Sequence, residues 1–174
     1  MCLYSKSREP KTAEKDIVVY KCLRSVKERY SSSKYRNLNS IFIDEPVTRG
    51  ENPFGKVVEG KNYVSPRYDK ATDEYAVSSG YIHAYTCLED AKATVSAHFI
   101  GMEWYHPVIV EAVIPKGTKY YEGSDNYGKI SLAAEKMVLG RHIECYVDYK
   151  FHNCDSYYAS LEKEKQAKET QPFD

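Results

Sequence analysis

The polar residues whose type and spacing could support chemistry are few, and the first of them is Glu135. It stands among small and apolar neighbours in the stretch AAEKMVLG, residues 133–140. A carboxylate in such a setting can stabilise developing positive charge as a preorganised group. It can equally be an ordinary charge on the outside of a sheet. The residues alone leave both interpretations open.

His83 is the histidine with the most suggestive surroundings, because it alternates with Tyr81 and Tyr85 in the stretch GYIHAY. Alternation places these three side chains on one face of a strand. The strand leads directly into a predicted helix, whose N-terminal dipole favours anions, so His83 could hydrogen-bond a ligand there. A half-buried strand histidine is the alternative.

Lys21 occupies the interior of an apolar segment, IVVYKCL, that predicts a strand over residues 17–23. A lysine within a strand must reach solvent or meet a compensating group. Glu135 is the natural carboxylate for this pairing.

Two apparent motifs do not support a catalytic interpretation. The stretch GKVVEGKN, residues 55–62, approaches a phosphate-binding loop, but Asn62 replaces the hydroxyl that reaches magnesium. Pro66 follows and prevents the helix that such a loop requires, so a hairpin-like turn is expected. Cys2 would become an N-terminal nucleophile after loss of the initiator methionine, but it precedes a polar segment instead of a buried strand.

The composition excludes several function classes. Lysine plus arginine equals aspartate plus glutamate at 25 each, which disfavours nucleic-acid binding by a broad basic surface. Five cysteines without a CxxC pair and five scattered histidines predict free thiols in the cytoplasm and no metal site. No segment has the apolar length of a membrane span. Tyrosine is unusually frequent, at 17 residues, which suits binding surfaces and half-exposed strands alike.

The elements that must position these residues are several strands and two helices. Thr86 and Glu89 form a capping-box pattern that predicts the main helix over residues 86–100. HPVIVEAVIP, residues 106–115, is typical of a central strand, and HIECYVDYKFH, residues 142–152, alternates clearly.

Strands on both sides of one helix predict a single-domain α+β fold with a mostly antiparallel sheet. The predicted organisation is a flexible N-terminal arm at residues 1–15, the α+β domain at residues 16–154 and a charged C-terminal helix at residues 155–174.

The order of four segments gives the chain a resemblance. A strand with one polar residue (VVYKCL, 18–23) precedes an aromatic strand entering a helix (GYIHAYTCLEDAKA, 80–93). A strand ending in IPKGTKYYEG (114–123) and a glutamate-bearing strand, AEKMVLGRHI (134–143), follow. This order is similar to that of the ADP-ribosyltransferase superfamily, over residues 17–149. The chain also looks like small uncharacterised proteins of bacteria and their phages.

The resemblance implies a split sheet around an NAD cleft and a role for particular residues. Lys21 corresponds to the arginine that grips the NAD phosphates, although a lysine lacks the planar fork. The family's Ser-Thr-Ser falls on Ala84, Tyr85 and Thr86, which keeps one hydroxyl of that type. Glu135 corresponds to the catalytic glutamate, but Ala133 replaces the residue that orients the acceptor. A branch of the family uses histidine and tyrosine, which His83 with Tyr81 or Tyr85 partly resembles.

Two functions of different class are therefore expected from the sequence. The first is a nucleotide-type ligand-binding protein, for NAD or ADP-ribose, with or without transferase activity. Its site would comprise Lys21, Tyr81, His83, Tyr85 and Thr86, with Glu135 as the catalytic residue. The second is a non-enzymatic interaction module, for example a phage or mobile-element protein that blocks a host factor through a tyrosine-rich surface.

Overall fold

The computed structural model describes residues 3–26, 38–40, 55, 57–77, 80–98 and 105–169. Two helices lie among them, α1 (Leu88–His98) and α2 (Cys154–Glu169). The strands are β1 (Leu3–Ser5), β2 (Lys11–Thr12), β3 (Ile17–Val26), β4 (Leu38–Ser40), β5 (Val57–Glu59), β6 (Arg67–Asp69), β7 (Glu74–Val77), β8 (Ile82–Tyr85), β9 (Tyr105–Ile114), β10 (Lys119–Ser124), β11 (Ile130–Ala134), β12 (Lys136–Val147) and β13 (Lys150–Asn153). The stretch IFIDEP, residues 41–46, also predicts a brief strand that ends at Pro46, but it lies outside the described residues.

The described strands form one antiparallel sheet in the order β13-β12-β9-β3-β8-β11-β10-β1-β7-β6. Three short strands lie off this path: β2 pairs with β10, β4 with β3 and β5 with β12. The predicted α+β class with an antiparallel sheet is thus confirmed. Because antiparallel neighbours need no crossover helix, two helices suffice for so many strands.

The centre of the sheet is the pair β3 and β9, which run together from Ile17 opposite Ile114 to Val26 opposite Tyr105. Both segments were predicted as strands, and their continuous β-branched composition suits positions covered on both faces. One face carries the larger core, to which Val19, Leu23 and Val110 belong.

The other face of these strands is covered by α1. Ala91 and Val95 of the helix are fully buried against Cys22, Tyr85 and Ile109. The predicted helix is therefore present. Its spacing places Leu88, Ala91, Val95 and Phe99 on one apolar face, and the first three of these pack against the sheet. Phe99 lies outside the described residues.

The predicted capping box at the start of α1 is wrong. The helix begins at Leu88, and the Thr86 hydroxyl donates to the carbonyl of Ile130 on β11, at 3.5 Å. Thr86 lies one residue too early to cap the helix, because the position just before the first helical residue belongs to Cys87. Its hydroxyl instead reinforces the junction between β8 and β11.

The charged C-terminal helix is present as α2, and its first residues pack against the sheet. Cys154 is buried in the larger core and Tyr157 packs partly against it, whereas Leu161 is exposed. Residues 170–174 of the predicted helix lie outside the described residues.

The N-terminal segment differs from the flexible arm predicted over residues 1–15. β1 pairs with β10 on one side and with β7 on the other, and β2 pairs with β10. Leu3 is 1% exposed and packs with Val77 and Tyr121. Burial of one leucine and hydrogen bonding on both sides outweigh the polar composition that suggested a loose arm.

Candidate functional site

Lys21 and His83 are brought together, but inside the sheet. The Lys21 ammonium donates to the His83 carbonyl oxygen at 2.8 Å, and the two residues are 3% and 2% exposed. In the described chain, β3 and β8 share one paired position, Tyr20 opposite Tyr85. The described hydrogen bond of the lysine reaches across to a main-chain acceptor on β8 and not to the expected Glu135.

His83 and Tyr85 also have partners within the fold. The His83 ring nitrogen Nε2 lies 3.3 Å from the Val77 carbonyl oxygen. The Tyr85 hydroxyl donates to Asp125 Oδ2 at 2.9 Å, and burial raises the pKa of this tyrosine. Both side chains therefore contribute to the cohesion of the sheet, since a buried polar group is costly without a partner.

Asp125 is a residue that the sequence did not single out, although it organises the turn between β10 and β11. Its Oδ1 accepts the main-chain N–H groups of Tyr127 at 2.9 Å and Lys129 at 2.8 Å, while Oδ2 accepts from Tyr85. An aspartate that bonds to the main chain two residues ahead is the usual Asx turn. The sequence SDNYG, residues 124–128, indicates a turn. It does not indicate that Asp125 accepts a hydrogen bond from Tyr85 on another strand.

Glu135 lies at the junction between β11 and β12 and is partly buried. Its N–H donates to the Lys119 carbonyl at 3.1 Å, and its carbonyl accepts from the Gly60 N–H at 2.7 Å and the Tyr63 hydroxyl at 3.0 Å. Burial, and then the charge of Glu135, raises the pKa of Tyr63. The main chain of Glu135 therefore joins three segments, and its carboxylate lies near a group of tyrosines.

The six residues predicted for the site are divided among three environments. Lys21 and His83 meet at the junction of β3 and β8, whereas Tyr85 and Thr86 bond toward the β10–β11 turn and the start of β11. Tyr81 and Glu135 lie beside the tyrosine group.

That group, which we call the tyrosine cluster, consists of Tyr63, Tyr81 and Tyr121. The Tyr63 and Tyr81 ring centres are 4.8 Å apart, and the Tyr81 and Tyr121 rings meet edge to face at 5.3 Å. Burial, and then a hydrogen bond with Tyr81, raises the pKa of Tyr121. Tyr63 remains 45% exposed, so the cluster extends from the core to the surface. The sequence indicated only the abundance of tyrosine, not which rings meet.

Residues 6–10, which we call the arch, connect β1 to β2 and lie beside the tyrosine cluster. Tyr4 opposes Ser124 and Lys11 opposes Tyr120, so six residues of the N-terminal segment span a stretch that β10 covers with three. The surplus chain must leave the sheet plane. Its turn is held by the Ser7 hydroxyl, which donates to the Glu9 carbonyl at 2.8 Å.

Two hollows adjoin the arch. The larger has a volume of about 490 Å³ and is lined by residues that include Tyr4, Lys6, Glu74, Tyr120 and Ile130. The smaller, of about 180 Å³, lies against the tyrosine cluster beside Arg8, Ser65 and Pro66. Glu9 and Tyr121 line both, so the two hollows are adjacent. We call them together the arch groove. The larger hollow is within the size range of ligand sites.

The charges around the arch groove are mixed. Three of its residues are basic, namely Lys6, Arg8 and Lys11. Three are acidic, namely Glu9, Glu74 and Glu122. Lys11 and Glu122 form an exposed ion pair at 2.6 Å, which raises the pKa of Lys11. The groove therefore presents aromatic area with paired charges of both signs.

Comparisons with protein families, with curated proteins and with solved structures found no match for this chain. Within the described residues there is no group of three or more histidine, cysteine, aspartate or glutamate side chains that could hold a metal ion. No helix in the same part of the chain is long and apolar enough to cross a membrane. The arch groove and the Lys21–His83 junction are therefore the candidate sites in the described residues.

Proposed function

We propose that this protein is a non-enzymatic binding protein whose arch groove holds a peptide segment of a protein partner. The observation that carries the proposal is the tyrosine cluster, which extends from the buried Tyr121 to the exposed Tyr63 beside an open hollow. Tyrosine rings provide large contact area with a polar tip at little entropic cost, and they are enriched at the energetic centres of interfaces.

The balance of charge in the arch groove favours a peptide over a nucleic acid or a polyphosphate. Equal numbers of basic and acidic lining residues give no net attraction for a polyanion. A peptide carrying an apolar or aromatic side chain between charges of both signs would match the groove. Arg8 and Glu74 would then contribute to register and specificity more than to affinity.

Selection from a displayed random peptide library, followed by calorimetry on the enriched peptides, tests this proposal. Tyr63→Ala should weaken binding at least about tenfold, the loss typical of an aromatic residue at an interface centre. The matched control is Tyr149→Asn. Tyr149 is 61% exposed at the tip of the β12–β13 hairpin and has a φ of 62°, which asparagine tolerates.

Glu135 should not be needed for peptide binding. Its main chain, and not its side chain, makes the described hydrogen bonds, so Glu135→Gln should bind the selected peptides like the wild type.

Peptides that lose affinity with Tyr149→Asn but not with Tyr63→Ala would refute the assignment of the groove. So would a library from which no peptide is enriched.

A second candidate is a nucleotide-type ligand, such as NAD or ADP-ribose, on an ADP-ribosyltransferase-like split sheet. The junction of β3 and β8 favours it, because the two halves of the sheet meet there at one described pair, Tyr20 opposite Tyr85. Lys21 and His83 lie at this junction. We propose that a ligand of this kind would need the two halves to separate, since both side chains are buried.

Thermal denaturation with millimolar NAD, ADP-ribose and related nucleotides distinguishes the two candidates. A ligand of the native state at one hundred times its Kd stabilises by about 2.7 kcal/mol, which raises the Tm. A Tm increase that Lys21→Met abolishes and Tyr63→Ala leaves intact would favour the nucleotide. An unchanged Tm with all of these nucleotides would reject it.

A further inference from the structure

Cys145 and Cys154 both belong to the larger core, although they are nine positions apart in sequence. Cys145 opposes His152 in the β12–β13 pair, and Cys154 follows His152 by two residues at the first position of α2. Because Cys154 directly follows β13, its position is diagonal to Cys145 across the end of this pair. Both are buried, at 1% and 2% exposure, and belong to the same cluster.

The two side chains interact with each other, and this interaction lowers the pKa of Cys145 and raises that of Cys154. The Cys145 thiol also donates to the His152 carbonyl oxygen at 3.6 Å. Because the two side chains are neighbours, oxidation of one thiol leaves the other beside it, and the lowered pKa favours Cys145 as the first to react.

We propose that Cys145 and Cys154 form a site of reversible oxidation, at which a hydroperoxide converts the two thiols to a disulfide. Cys145 loses its proton, and its thiolate attacks the terminal peroxide oxygen, so that an S–O bond forms and the O–O bond breaks. The leaving oxygen takes the proton of Cys145 and departs as alcohol or water. The Cys154 sulfur then attacks the Cys145 sulfenic acid. An S–S bond forms, the S–O bond breaks and water leaves with the proton of Cys154. The thiols lose two electrons in all, and the peroxide gains them.

The consequence concerns α2, whose Cys154 lies in the larger core and whose Tyr157 packs against it. Because the thiols are buried, the peroxide reaches them when the first turn of α2 opens locally. The disulfide then closes that route by linking the helix to β12. Oxidation would fix the position of α2, and reduction would release it, independently of what the arch groove binds.

Peptide mapping tests the proposal on the full chain with Cys2→Ser and Cys87→Ser, which removes the exposed thiol of Cys87 and the terminal one. After treatment with hydrogen peroxide and alkylation in denaturant, the intact mass should show two fewer alkylated thiols. Trypsin cuts after Arg141, Lys150 and Lys163, so the bond should join the peptides 142–150 and 151–163. Cys22, whose sulfur lies against the Ala91 carbonyl, should remain free to alkylate.

Amide exchange of α2 supplies a second readout that needs no cysteine variant in the core. Exchange at the first turn should slow on the order of tenfold after oxidation and recover after reduction. This slowing is smaller than a disulfide across an unstructured loop of the same length would give. The pairing of β12 with β13 already holds the two ends of the segment close together. The proposal is overturned if both thiols stay free at peroxide levels that oxidise the unfolded chain. It is also overturned by a sulfinic acid or a Cys22 crosslink as the main product, or by unchanged exchange in the oxidised form.

Discussion

Replacing Leu3 with alanine should destabilise the protein, because this residue is part of the folded sheet. Leu3 is 1% exposed and packs with four residues, Val77, Tyr81, Tyr121 and Ala133. A leucine removed from a protein core costs about 2–5 kcal/mol. We expect the lower part of this range, about 2–3 kcal/mol, because β1 has three residues and can detach without global unfolding.

Urea denaturation measures this loss directly, and the corresponding fall in Tm is about 4–12 °C for a chain of this size. Lys6→Ala is the matched control, since Lys6 is exposed three residues further along, and it should change the free energy of unfolding by no more than about 0.5 kcal/mol. A Leu3→Ala variant as stable as this control would refute the incorporation of β1 into the sheet. The arch groove would then lose one of its walls.

Two further perturbations test particular contacts. In Gly123→Ala the added methyl group would collide with the Tyr4 carbonyl oxygen, so β1 must shift. Urea denaturation should show a loss of about 1–3 kcal/mol in the free energy of unfolding, less than additive with the loss from Leu3→Ala. Tyr85→Phe removes the bond to Asp125 and should cost about 1–3 kcal/mol at neutral pH. Because burial raises the Tyr85 pKa in the folded state, its contribution is present below the ordinary pKa of 10.0 and is lost as the pH rises above it. Above pH 10 the free energy of unfolding should therefore fall less steeply with pH in Tyr85→Phe than in the wild type. Equal slopes against pH for the two proteins would contradict this.

Lys21 was correctly predicted to lie within a strand, but its described hydrogen-bond partner was not predicted. A strand-interior lysine was expected to reach solvent or to meet a carboxylate, and its described hydrogen bond goes to the buried His83 carbonyl. β3 and β8 share one described pair, so a main-chain acceptor of β8 beside that pair is open to a long side chain. Nothing in the local sequence indicates which acceptor the lysine will meet.

The sequence by itself determined the elements whose signal extends over many residues. β3 and β9 follow from continuous apolar runs, the apolar face of α1 from helical spacing and α2 from its charged composition. The alternating stretch 142–152 was predicted as one strand, but β12 ends at Val147 and a turn leads into β13, so the hairpin was not predicted. The antiparallel α+β class follows from their order.

Tertiary structure alone decided the site. Tyr63, Tyr81 and Tyr121 meet because the strand order places β10 and β8 on either side of β11 and brings the segment after β5 against them. Leu3 is buried because its short strand, β1, pairs with β10 on one side and with β7 on the other. Contacts between residues so far apart depend on register and strand order, which single-strand periodicity does not encode.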